Sequence, residues 1–193
     1  MDNLNYIKNY LYSSIEVKDK LLSNADALET IAKVSDFVVE AYSNGNKVLL
    51  AGNGGSAADS QHIAAEFVSR FFYDRPGLPA IAMTTDTSML TAIGNDYGFE
   101  NLFSRQLQAQ ARKGDIFFGI STSGNSTNII KAVDTAKAMG VMSVVLSGEN
   151  GKLKNMADVA ICVPSGVTPY IQECHIAIGH MICAIVESKL FPK

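Results

Sequence analysis

The chain has no run of lysine or arginine and no closely spaced pair of cysteines. It also has no apolar stretch of the roughly 18 residues that a spanning helix needs. Each absence removes a class of function. With 16 basic against 19 acidic residues the formal charge is −3, so there is no basic field to draw nucleic acid and no basic patch for an anionic membrane. The first 18 residues lack a basic segment followed by an apolar run, which predicts no signal peptide. The three cysteines, Cys162, Cys174 and Cys183, are odd in number and lack a CxxC spacing. They read as reduced core thiols of a cytoplasmic protein. No GK[ST] loop and no GxGxxG fingerprint occurs, which disfavours a nucleotide.

What is present is the makings of a packed domain. Of 193 residues, 47% are hydrophobic and 18% charged, enough for one domain with a real core. Leu4, Ile7, Leu11 and Ile15, then Ile31, Val34 and Val38, recur at helical spacing up to a stop at Asn44-Gly45. Residues 1–45 are therefore an N-terminal helical layer. Beyond them, short runs at 47–51, 79–83, 115–120, 141–146 and 159–163 are nearly continuous in Val, Ile, Leu and Ala, as strands buried on both faces are. Helical patterns fall between and after them at 56–70, 88–92, 99–111, 126–139 and 169–189. This alternation predicts a single α/β domain over 1–193, a mostly parallel sheet with helices on both faces.

Two strand ends run directly into loops of small residues that open helices. The first is Gly52-Asn53-Gly54-Gly55-Ser56; the second is Ser121-Thr122-Ser123-Gly124-Asn125-Ser126. In an open parallel sheet ligands bind at such carboxyl ends, where helix N-termini offer free N–H groups and a positive dipole end. One such loop is an ordinary capped turn. Two of them, with hydroxyls and an Asn beside Gly, favour a phosphate, and with nucleotides disfavoured a sugar phosphate is the natural ligand. The helix after the first loop carries His62 and Glu66, four apart and so on one face. Its apolar neighbours predict a partly desolvated Glu66, as a general base requires. Asp59 reads as a complement to the helix dipole and Glu173 as a surface residue. Spacing alone does not choose between His175 and His180 on the last helix.

The segments GNGGSAADSQHIAAEF (52–67), TTDTSMLTAIGNDYGFE (84–100), GISTSGNS (119–126) and IQECHIAIGH (171–180) together resemble the phosphoheptose isomerases of the sugar isomerase (SIS) domain superfamily. The resemblance implies a flavodoxin-like parallel sheet, a homotetramer with active sites where subunits meet, and aldose–ketose isomerisation of sedoheptulose 7-phosphate through an enediol. The product, D-glycero-D-manno-heptose 7-phosphate, starts nucleotide-activated heptose synthesis for lipopolysaccharide or capsule. Position by position, Glu66 resembles the base between C1 and C2, and His180 its partner acid/base. His62, Glu66, Gln172 and His180 resemble the ligands of one Zn²⁺ per subunit. Asn53, Gly54 and Gly55 resemble the sugar-contacting loop, with Asn95 and Asp96 beside it, and Glu66 and Gln172 also reach substrate. Ser121, Thr122, Ser123 and Ser126 resemble the phosphate cradle. At Tyr170 relatives often carry Arg; the phosphate or intersubunit contact of that Arg falls here to Arg70 or another basic residue. The competing readings are a non-catalytic SIS-domain protein that tethers a replication initiator, and an isomerase of another sugar phosphate. The Glu66–His180 pair argues for an enzyme.

Overall fold

The computed structural model describes residues 2–193. Five strands, β1 (Val48–Gly52), β2 (Ala80–Ala82), β3 (Ile116–Ser121), β4 (Met142–Gly148) and β5 (Val159–Val163), form one parallel sheet in the order β2-β1-β3-β4-β5. Each lies within two residues of its predicted ends. The helices are α1 (Asn3–Leu22), α2 (Ala25–Ser43), α3 (Gly55–Val68), α4 (Thr87–Tyr97), α5 (Leu102–Gln110), α6 (Thr127–Ala138), α7 (Leu153–Met156) and α8 (Thr168–Leu190). Two differences from the sequence reading have local causes. Helix α4 continues past residue 92 through Gly94 and stops at Gly98, whose φ of +88° ends it. The stretch 99–111 opens as a 3₁₀ turn, Phe99–Asn101, before becoming α5. The single-turn α7 has no counterpart in the predicted pattern, being too short to show a period.

Alternate side chains of the strands build two cores. Val48, Leu50, Phe118, Ile120, Val144 and Leu146 face α2, α3 and α8. Leu49, Ala51, Phe117 and Val145 face α5 and α6. The central strands β1 and β3 are buried along their whole length, which explains their unbroken apolar runs. Helix α1 lies outside the first layer, against α8. Val17 and Leu21 enter the first core, and a polar tie joins them: Glu173 on α8 accepts from Tyr10 Oη at 2.9 Å, from Lys18 Nζ at 2.6 Å and from the Ser14 hydroxyl. Glu173 is thus an anchor and not a free surface group, and those donors hold its carboxyl below the ordinary range. Tyr170 packs edge-on against Tyr10 at 5.0 Å.

The close packing of α3 on α8 depends on a glycine. A methyl group at Gly179 would lie 2.6 Å from Ile63 Cδ1 and 2.7 Å from its Cγ1. Gly179→Ala should therefore destabilise by about 1–3 kcal/mol through overpacking, lowering the melting temperature by roughly 2–4 °C per kcal/mol. Ile63→Val, which removes Cδ1, should recover part of that loss in the double variant. Calorimetry showing additive losses would mean that the two residues do not oppose each other.

Candidate active site

The order of the strands decides where a ligand can sit. From β1 the chain crosses outward to β2, and from β3 it runs the other way to β4, so a crevice opens beyond the carboxyl ends of β1 and β3. Both small-residue loops meet there. In the first, Gly54 adopts φ +55°, ψ −122°, and α3 begins with no side-chain cap. In the second, Ser126 occupies the cap position of α6 but makes no cap bond. Its hydroxyl instead shares a 2.9 Å hydrogen bond with Ser121. Side chains thus leave the first N–H groups of both helices to other partners, which is the arrangement an anion needs.

A reciprocal amide pair locks the two loops together. Asn53 Nδ2 donates to Asn128 Oδ1 at 2.9 Å, and Asn128 Nδ2 donates to Asn53 Oδ1 at 2.8 Å. Beside this pair lies an open cleft of about 730 Å³, walled by Asn53, Phe99, Asn125, Ser126, Asn128 and Lys131 among others. Lys131 is held on the wall by Glu100 at 3.5 Å and Asn101 at 3.1 Å. Asn128, Phe99 and Lys131 were not singled out in the sequence. The available signal was Asn128, a polar residue in the first turn of a helix leaving a ligand loop, at a position that the structure buries.

The second part of the site is built between α3 and α8, which run side by side in the same direction. Gln172 stands over Gly55, where a Cβ would meet its Nε2 at 2.5 Å. Two turns along, His180 Nε2 lies 3.0 Å from His62 Nε2, and His62 Nε2 lies 3.2 Å from Glu66 Oε1. One donor atom from each of these three residues falls within 4.8 Å of the others. Two donors on one zinc ion at about 2.0–2.2 Å stand roughly 3.3–3.6 Å apart in a tetrahedral site, so the observed spacings need only slight opening. The mixed nitrogen and oxygen donors also suit zinc. The residues fit a divalent metal.

The structure resolves the choice of histidine. His175 is buried in the core, and burial, opposed only weakly by the Ser147 backbone, pushes its pKa down to about 4. It is a neutral core residue, and His180 is the one that meets α3. Asp59 is the fifth residue of α3, beyond the first turn that the dipole favours. Its Oδ2 is buried without a partner among the described residues, and burial raises its carboxyl against the opposing pull of His62, so it is not a complement to the helix dipole. Glu66 keeps 25% of its side chain exposed, as a partly desolvated residue should. Asn95 and Asp96 occupy the last turn of α4, exposed and hydrogen-bonded to each other at 2.8 Å, and neither is among the residues that wall the cleft. Thr122 and Ser123 lie in the second loop, Thr122 half-buried and Ser123 exposed.

Known proteins resemble this chain over nearly its whole length. The SIS domain family matches residues 9–148. A phosphoheptose isomerase of Aneurinibacillus thermoaerophilus is 60% identical over 187 residues, covering 96% of this chain and 94% of its own. Phosphoheptose isomerase 2 of Campylobacter jejuni is 60% identical over 195 residues, covering 100% of this chain and 97% of its own. A solved phosphoheptose isomerase of Francisella tularensis superposes with a TM-score of 0.93 at 38% identity, covering 97% of this chain and 100% of that one.

The donor cluster makes a direct prediction. Metal-stripped protein dialysed against a limiting zinc buffer should take up one ion per chain. His62→Ala or His180→Ala should weaken uptake by more than about tenfold, a loss that even outer-sphere changes can reach, while His175→Gln should not. Equal uptake by all four proteins would place the metal elsewhere.

Proposed function

The chain belongs to the phosphoheptose isomerase family of SIS-domain proteins, an aldose–ketose isomerase, and from that premise we propose how its residues interconvert sedoheptulose 7-phosphate and D-glycero-D-manno-heptose 7-phosphate. The observation that carries the reading is the convergence of Glu66 and His180, from helices far apart in sequence, beside the crevice where two helix N-termini open. The phosphate sits in the Ser121–Ser126 loop, held by hydroxyls and by the N–H groups that begin α6. Held there, several carbons from the reaction, it contributes binding energy that fixes the reacting end. Asn53, Gly54 and Gly55 contact the sugar hydroxyls, with Asn53 oriented by Asn128; Gln172 adds a further contact, and Asn95 and Asp96, outside this cleft, would reach the substrate of a neighbouring subunit.

At the reacting end, Glu66 removes a proton from C1 of the ketose and returns it to C2. The C1–H electron pair becomes the C1–C2 double bond of the enediol, and the carbonyl electrons at C2 go to its oxygen. His180 moves the matching proton between the two oxygens. His62, Glu66 and His180, with Gln172 as fourth ligand, would hold a zinc ion, which when bound stabilises negative charge on the substrate oxygens.

The assembly we propose is a homotetramer with closed symmetry. Supporting it, the helical stripe Leu4, Ile7, Leu11 and Ile15 turns away from its own chain, 52–69% exposed. An apolar groove of about 300 Å³ between α2 and α8, with Leu28, Ile31, Met181 and Ile185 on its walls, offers a surface of the same character. Among the described residues no helix is long and apolar enough to cross a membrane, so that stripe does not read as a spanning segment.

Two measurements test these readings. Glu66→Gln keeps the shape and loses the basicity, and should lower kcat by about 10²–10⁴, the usual worth of a general base. In D₂O the wild type should place deuterium on the carbon beside the carbonyl and the variant should not, with zinc content measured in both. Wash-in at the wild-type rate with zinc retained would assign the proton to another residue. Light scattering should give a mass near four times that of the 20.7 kDa chain; a monomer at micromolar concentration would remove the assembly.

A further inference from the structure

Outside the cleft, one buried ion pair stands apart. Arg75 and Glu187 leave 2% and 1% of their side chains exposed, and Arg75 Nε donates to Glu187 Oε2 at 3.1 Å. Burial pushes the Glu187 carboxyl up, but the amides of Phe71 and Phe72 and the guanidinium outweigh it and hold the group below the usual carboxylate range. A buried ion pair contributes little net stability against apolar residues of the same size, so stability alone does not account for this one. Its contacts do. Arg75 Nη2 donates to the backbone carbonyl of Glu66 at 2.9 Å, and Nη1 donates to the carbonyls of Phe67 at 2.6 Å and Ser69 at 3.2 Å.

Helix α3 ends at Val68, so the last carbonyls lack the amide partners that a continuing helix would supply. Arg75 fills that place from a loop beyond the helix. Glu187 in turn accepts from Phe71 N at 2.8 Å and Phe72 N at 2.7 Å, fixing the turn that follows. That turn sets the Phe71 ring 5.6 Å from the His180 ring. Glu187 is seven residues beyond His180 and shares its face of α8. One guanidinium–carboxylate pair thus grips the main chain of Glu66 on one side and the backing of His180 on the other.

We infer that Arg75 and Glu187 are positioning residues for the isomerisation, holding the backbone of Glu66 and the ring of His180 at their working separation. The inference rests on the roles proposed above for Glu66 and His180. A carbon acid is deprotonated only from a narrow range of positions, and a displacement of about 1 Å can cost two orders of magnitude in rate. The pair lies outside the cleft and acts through the main chain.

The experiment is steady-state kinetics with thermal denaturation on three variants of the intact enzyme: Arg75→Lys, Glu187→Gln, and Arg75→Met with Glu187→Leu. The first keeps the charge but loses the fork that bridges carbonyls. The last replaces the pair with apolar groups that keep the core filled. The expected result is kcat lowered about tenfold or more with KM within about twofold and deuterium wash-in falling in step, while the double variant still unfolds in one cooperative transition, at a lower temperature because the carbonyls and amides held by the pair lose their partners. A folded double variant with wild-type kcat overturns the proposal, and so does a change confined to KM. If the double variant does not fold, Arg75→Lys or Glu187→Gln decides on the same numbers. Glu66→Gln assayed alongside separates the two readings. Wild-type wash-in there removes Glu66 as the base whatever Arg75 does, whereas an inactive Glu66→Gln beside a fully active Arg75 variant removes only the positioning role.

Discussion

Everything chemical in this molecule depends on α3 and α8 touching. They follow β1 and β5, which are separated in the sheet by β3 and β4, so adjacency is not given by the order of the strands. It is imposed by the N-terminal layer. Helix α2 packs on β5 and occupies the edge of the first face, so α8 must turn back toward the centre of the sheet and lie beside α3. Gly179 lets the two approach closely, and the parallel run then pairs Gly55 with Gln172 and His62 with His180. The first 45 residues therefore contribute no residue to the site as described, yet they determine where α8 lies.

The division of labour across the crevice explains how an acidic chain handles an anionic sugar. At the proposed phosphate end, charge would come from the backbone, through two helix starts without side-chain caps, and from serine hydroxyls that can rotate to donate. These are partial charges fixed in direction, and they cost the protein no surplus of lysine. The reacting end keeps its carboxylate and imidazoles on the sides of helices, where one-turn spacing sets their separation. The Asn53–Asn128 pair joins the two ends, since each amide uses both a donor and an acceptor to fix the other's orientation.

How much of this was legible in the sequence follows from range. Strand positions were readable because burial on both faces writes unbroken apolar runs, and the loops because glycine and serine mark strand-to-helix turns. His62 and Glu66 were readable as a pair because they are four residues apart. The convergence of His180 on them was not readable from spacing, because it stands 118 residues from His62; only resemblance supplied it. Arg75 lies in a loop with no period, and its partner Glu187 is 112 residues away, so nothing local marks either as buried. The stripe Leu4, Ile7, Leu11 and Ile15 gave the helix correctly, but a period says nothing about whether the apolar face turns toward its own chain. The residues that α1 buries are Ser14, Val17 and Leu21.

The place of Glu66 in the fold gives the Arg75 contact a second reason. Glu66 lies in the last turn of α3, two residues from its end, where the helix dipole presents its negative pole and disfavours an anion. A carboxylate at this spot that must also face two imidazoles needs a counterweight to the carbonyls beneath it. A guanidinium buried on those carbonyls supplies positive charge without water, and Glu187 on its far side keeps the loop from gaining an unpaired charge. Lysine in its place would keep the charge but could not bridge the carbonyls of Glu66 and Phe67 from one plane. The fork geometry follows from the need to neutralise and to align the helix end in a single contact.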